Sequence, residues 1–105
     1  MISLSTHVLD TATGDPAAGM HVSLERMEEG GVVLVGTKVT DDDGRVSALG
    51  ESLESGIYRL RFATGDYGNA FYPEVVVQVR LDGAKAHYHV PLLLSPFGYS
   101  TYRGS

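Results

Sequence analysis

The chain has 105 residues, a formal net charge of −5, 43% hydrophobic and 20% charged residues, and no cysteine. Its length sets one domain, residues 1–105, with a single modest core, and its composition is that of globular material rather than a disordered tail. The acidic balance argues against a general nucleic-acid surface, and the lack of cysteine excludes disulfides, thiolate nucleophiles and cysteine-ligated zinc.

Apolar residues recur mostly at period two, the repeat of a strand with one buried face. In the first strand Ile2, Leu4, Thr6 and Val8 share one face, while Ser3, Ser5, His7 and Leu9 share a largely polar one. Thr11 to Gly19, with Gly14, Pro16 and Gly19, has the chemistry of a loop. Met20 to Met27 reads as a strand, Gly30-Gly31 as a hairpin signal, and Gly31 to Thr40 as a valine-rich strand closed by the Asp41-Asp42-Asp43-Gly44 turn. Arg45 to Leu49 is a short strand and Gly50 to Gly56 a loop leading into the strand Ile57 to Thr64, whose Tyr58, Leu60 and Phe62 face the core. Gly65 to Ala70 leaves room for about one helical turn. In Phe71 to Leu81, Pro73 delays regular pairing, and Asp82-Gly83 reads as a tight hairpin into His87 to Leu94. Turns spaced about ten residues apart, with no useful helical periodicity, predict an all-β antiparallel sandwich of about seven or eight strands.

His87 and His89 leave the same strand face, opposite the better core residues Val90, Leu92 and Leu94, so the histidine face belongs at a surface or subunit interface. With His7 they could offer three imidazoles to zinc, but nothing in the spacing fixes them at ligand distance, and no metal is expected. Arg45, after three aspartates and a glycine, reads in isolation as a surface arginine balancing local charge, and Arg103 as a partner of some nearby carboxylate. Ser95, Ser100 and Ser105 lack a nucleophile-elbow context, which disfavours a serine hydrolase. The final stretch, His87 to Ser105, gathers imidazoles, hydroxyls and a guanidinium directly after an apolar anchor, as an active-site wall would.

Taken together, Leu4-Ser5-Thr6-His7-Val8-Leu9-Asp10, Thr13-Gly14, Pro16-Ala17, Thr40-Asp41, Asp43-Gly44-Arg45, Gly56-Ile57-Tyr58, Phe71-Tyr72-Pro73-Glu74 and the closing Tyr102-Arg103-Gly104-Ser105 resemble the transthyretin-like proteins that act as 5-hydroxyisourate hydrolases in urate degradation. The resemblance implies a prealbumin-type sandwich of two four-stranded sheets with at most one short helix, assembled as a homotetramer, a dimer of dimers with the sites in a central channel. Between Tyr67 and Phe71 the chain is shorter than in many relatives, which place a small helix there. Carried over position by position, the resemblance makes His7, Arg45, His89 and Ser105 catalytic, with His7, Arg45, Tyr102, Arg103 and Gly104 binding substrate.

The implied reaction opens the six-membered ring of 5-hydroxyisourate, giving 2-oxo-4-hydroxy-4-carboxy-5-ureidoimidazoline, and needs no cofactor. His7 or His89 would take a proton from water, Arg45 would hold ring oxygens and the developing negative charge, and Tyr102 with the terminal segment, including the Ser105 hydroxyl or carboxylate, would orient ligand and base. The competing reading is a non-catalytic small-molecule carrier on the same scaffold, disfavoured by His87, His89 and Tyr102-Arg103 where a carrier channel should be apolar. No apolar run reaches the roughly 20 residues of a spanning helix, and Met1 to His7 shows no secretory or transit pattern, so a cytoplasmic protein without a membrane partner is expected.

Overall fold

In the computed structural model, which describes residues 1–105, period-two alternation is realised as two sheets enclosing one apolar core. β1 (Ile2–Asp10) turns Ile2, Leu4, Thr6 and Val8 inward, at 6%, 0%, 1% and 0% exposure, and its polar side chains outward. The remaining elements are β2 (Asp15–Pro16), β3 (His21–Glu28), β4 (Gly31–Val39), β5 (Arg45–Leu53), β6 (Gly56–Phe62), a helical turn α1 (Thr64–Tyr67), β7 (Val75–Leu81), β8 (His87–His89), β9 (Leu92–Ser95) and β10 (Gly98–Thr101).

One sheet runs β4-β3-β6-β7, antiparallel throughout. The other has six segments in four lanes. β5 and β2 lie antiparallel along one flank of β1, β8 and β9 lie parallel along its other flank, and β10 pairs outside β9. Val22, Leu24, Tyr58, Leu60 and Phe62 from one sheet meet Leu4, Val8, Leu49 and Leu92 from the other in a single buried cluster. Its few buried hydroxyls are satisfied: Thr6 Oγ1 donates to the Val90 carbonyl and Thr40 Oγ1 to that of Ala17, each at 2.6 Å.

The structure departs from the sequence reading at several places, among them the parallel pairing of β1 with β8 and β9 in a sandwich expected to be antiparallel, and the additional strand β10. β5 continues to Leu53, through the expected loop from Gly50. Gly50 leaves space into which Leu24 and Leu53 pack, since a Cβ there would lie 2.7 Å and 2.9 Å from their methyls, and register shifts against β1 blur the alternation. Within the Thr11 to Gly19 loop, Asp15 and Pro16 make a short ladder with β1. Asp82-Gly83 does not close a hairpin. It carries the chain from one sheet to the other, its Asp82 carboxylate accepting from Tyr88 Oη at 2.6 Å and from the Ala84 amide at 3.0 Å, and β8 then pairs with β1. The expected strand from His87 is interrupted at Val90-Pro91, where proline supplies no N–H, and its second half extends to Ser95. The helical turn begins at Thr64, where the strand was expected to end, and closes at Tyr67, short of Ala70.

Gly44 closes the aspartate turn at φ 73°, and a Cβ there would lie 2.5 Å from the Val8 carbonyl oxygen. That carbonyl oxygen is backbone and cannot swing aside, whereas the Gly44 carbonyl itself accepts from the Val8 amide at 2.8 Å. Gly44→Ala is therefore expected to lower stability by about 2 kcal/mol or more, measured as a lowered urea midpoint at unchanged m-value.

Candidate active site

Strand register assembles a polar face from both ends of the chain. β1 and β8 align Ser3 with His87 and Ser5 with His89, while β5 sets Arg45 opposite His7. Directly paired residues share a face, so Ser3, Ser5, His7, Arg45, His87 and His89 emerge together on the side of the sheet away from the core. The turn before β5 explains why Arg45 stands free. The Asp41 carboxylate accepts from the backbone amides of Asp43 and Arg45, both at 2.9 Å, and is spent on the turn. No carboxylate pairs with the Arg45 guanidinium, whereas Arg26 and Arg61 each bridge to two glutamates. Arg45 is exposed, as the reading of a surface arginine expects, but it has no carboxylate partner.

Serines organise the histidines. Ser5 Oγ lies 2.7 Å from His89 Nδ1 and 2.9 Å from His87 Nε2, and Ser3 Oγ lies 2.6 Å from His87 Nδ1. His89 is half-buried and His87 exposed. Burial, then the Arg45 guanidinium and the His7 and His87 imidazoles, hold His89 below the ordinary imidazole range. His89 Nε2 takes no hydrogen bond within the chain, and no buried side-chain nitrogen or oxygen lacks a partner, so that nitrogen opens onto the cleft.

The cleft itself, of about 360 Å³, is lined by Ser5, Arg45, Ser47, His87, His89 and Ser105 among others, a volume suited to a small polar ligand. The last residues reach it because the Gly104 amide donates to the His89 carbonyl at 2.7 Å. A Cβ on Gly104 would lie 2.8 Å from His89 Cδ2, so only glycine lets the terminal segment lie this close to the ring. A larger cavity, about 500 Å³, lies against Tyr67, Phe71 and Phe97. Its carboxylate, Asp10, is already engaged by Tyr67 Oη at 2.9 Å, and it offers neither a base nor a free cation.

Of the residues singled out from sequence, Arg45, His89 and Ser105 line one cleft, Gly104 braces it, and His7 stands beside Arg45. Within a single chain Tyr102 and Arg103 lie elsewhere, in a groove with β7 and Tyr88. Ser3, Ser5 and Ser47 were not foreseen as site residues. The polar face of β1 signalled the first two, but their partners depend on a parallel pairing across more than 80 residues. No group of three or more His, Cys, Asp or Glu is arranged to hold a metal ion, since His87 and His89 turn ring nitrogens toward serine hydroxyls.

The sequence matches the profile of the HIUase/Transthyretin family over residues 4–104. A protein of Halalkalibacterium halodurans named 5-hydroxyisourate hydrolase is 50% identical over 115 residues, spanning 97% of both chains. Among solved structures, 5-hydroxyisourate hydrolase of Klebsiella pneumoniae is similar at a TM-score of 0.88 and 36% identity over the whole of both chains. Sea bream transthyretin, solved with thyroxine, is similar at 0.90 and 28% identity over 97% of this chain and 94% of its own. A hydrolase and a transthyretin solved with thyroxine thus match the backbone about equally well, and each is matched along nearly its whole length. By its profile match, its identity to these relatives and its two-sheet architecture, the chain belongs to the HIUase/Transthyretin family.

Proposed function

We propose that this protein is a hydrolase that opens the ring of 5-hydroxyisourate. The observation that carries the reading is the placement of a free guanidinium, Arg45, and an uncharged imidazole with an open nitrogen, His89, in one cleft. Relatives bearing the hydrolase name at up to 50% identity support it. A carrier for an apolar ligand has no use for an unpaired cation and three imidazoles on this face, although the likeness to transthyretin keeps binding without turnover as the second reading.

His89 Nε2 is the base. It takes a proton from water as the oxygen adds to the C6 carbonyl carbon; the N1–C6 bond then breaks, and the imidazolium returns the proton to N1. Arg45 donates to the oxygen on which negative charge develops, where a fixed cation contributes most. His7, paired with Arg45 across the β1–β5 ladder, binds the ring together with Ser105. Four copies, as a dimer of dimers, close these open clefts into a channel, and Tyr102 and Arg103 take part through that assembly. The chain acts in the cytoplasm, a compartment compatible with a lack of cysteine, and the reaction runs without metal.

Generating 5-hydroxyisourate from urate in the assay cell and following its ultraviolet decay tests the reading. Decay accelerated by the protein, with chelator present, is the expected result; spontaneous decay from folded protein would transfer the assignment to the carrier. Arg45→Ala and His89→Asn are each expected to lower kcat/KM by about 10²-fold or more while leaving the melting temperature nearly unchanged.

Gly104→Ala should push the His89 ring aside and reduce kcat about 10-fold or more, because small misplacements of a base are costly. Solving the variant's structure would show whether the ring has moved.

The pH dependence follows from His89. Its proton binds more weakly in the folded chain than in the unfolded one, so the acid limb of kcat/KM should fall below the ordinary imidazole value. The same group's contribution to stability is complete above that value and is lost as pH falls. Arg45→Ala removes a positive neighbour, and the His89 midpoint read by NMR should rise.

A further inference from the structure

The proposed reaction needs His89 Nε2 without a proton, and nothing in that requirement accounts for His87 or the two serines. Neutral imidazole carries its proton on one nitrogen or the other, and the hydrogen bond made by the second nitrogen decides which. Here the second nitrogen, Nδ1, meets Ser5 Oγ, which also meets His87 Nε2; His87 Nδ1 in turn meets Ser3 Oγ. A hydroxyl has one proton to give, so the polarity of each link sets the next.

We propose that His87 is a positioning residue: acting through Ser5, it holds His89 in the Nδ1–H tautomer, with the bare Nε2 facing the cleft. One contact gives the chain its direction, and the other two links follow from it. Ser3 Oγ stands 3.4 Å from the Ala86 carbonyl, a group that only accepts, so the Ser3 hydroxyl proton has a place to go and its lone pair receives His87 Nδ1–H. His87 Nε2 is then an acceptor, and takes the Ser5 proton at 2.9 Å. Ser5 Oγ, having given its proton, accepts His89 Nδ1–H at 2.7 Å. The reverse direction would aim an N–H dipole from His89 Nε2 into a cleft that already holds the unpaired Arg45 cation. The direction chosen aims a lone pair there instead.

This inference rests on the hydrolase reading for its purpose but not for its test. Ring ¹⁵N shifts of labelled wild-type protein, taken where His89 is neutral, should show Nδ1 protonated and Nε2 bare. In His87→Leu, Ser5 regains a proton to donate, so the His89 spectrum should swing toward Nε2–H. kcat should fall by about 10²-fold, as for a base in the wrong tautomer, with KM within about twofold of wild type. His87→Gln, whose amide oxygen can still accept from Ser5, should restore both readouts, which a merely structural role for His87 would not predict. Ser5→Ala provides a second break in the chain should His87→Leu unfold. A wild-type His89 protonated at Nε2, or a His87→Leu protein with unchanged tautomer and kcat, overturns the proposal. Wild-type protein with the expected spectrum and no hydrolysis would defeat the hydrolase reading and leave the tautomer assignment standing.

Discussion

The lateral pairing of β1, antiparallel to β5 on one flank and parallel to β8 and β9 on the other, governs both the interior and the chemistry of this protein. Leu4 and Val8 must be dry, and alternation then forces Ser5 and His7 to the opposite side. The register with β8 brings Ser5 to His89, and that with β5 brings His7 to Arg45. A slip of one residue in either pairing would send site residues into the core and core residues into the cleft. The buried bond from Thr6 Oγ1 to the Val90 carbonyl, beside the Val90 amide bond to the Ser5 carbonyl, holds the register where Pro91 interrupts the ladder.

Alternation carried the inner faces of the strands plainly in the sequence: Tyr58, Leu60 and Phe62, or Val90, Leu92 and Leu94, announce their burial by spacing alone. Glycine hid β5 beyond Leu49, because a residue without a side chain breaks the pattern even where its backbone pairs. Asp82-Gly83 has the composition of a hairpin, and composition does not distinguish a turn within a sheet from a crossing between sheets. For the site, residue types marked the candidates but not their company. The freedom of Arg45 follows from the engagement of Asp41 with backbone amides, and the serine bridge follows from a parallel contact that no local signal encodes. The resemblance of motifs singled out Arg45, which the local charge pattern did not, and the structure sets it at the cleft.

Likeness of backbone to both a hydrolase and transthyretin shows how little of the activity resides in the sandwich itself. The inner faces keep the scaffold, and the outer face of one sheet is free to vary. On that face this chain has concentrated positive charge and imidazoles although its overall charge is −5. Burial first, and the neighbouring Arg45 guanidinium second, hold the His89 imidazole on that face below its ordinary range.

The parallel lane joining the two ends of the sequence also bears on how the molecule comes into being. Ser5 and His89 are 84 positions apart, so the loop that must close before they meet is nearly the entire chain. The β3–β4 and β6–β7 hairpins can form from neighbours, whereas β1 must wait for β8 and β9. The cleft exists only once that long closure is made, so recovery of the site during refolding would time the meeting of the chain ends.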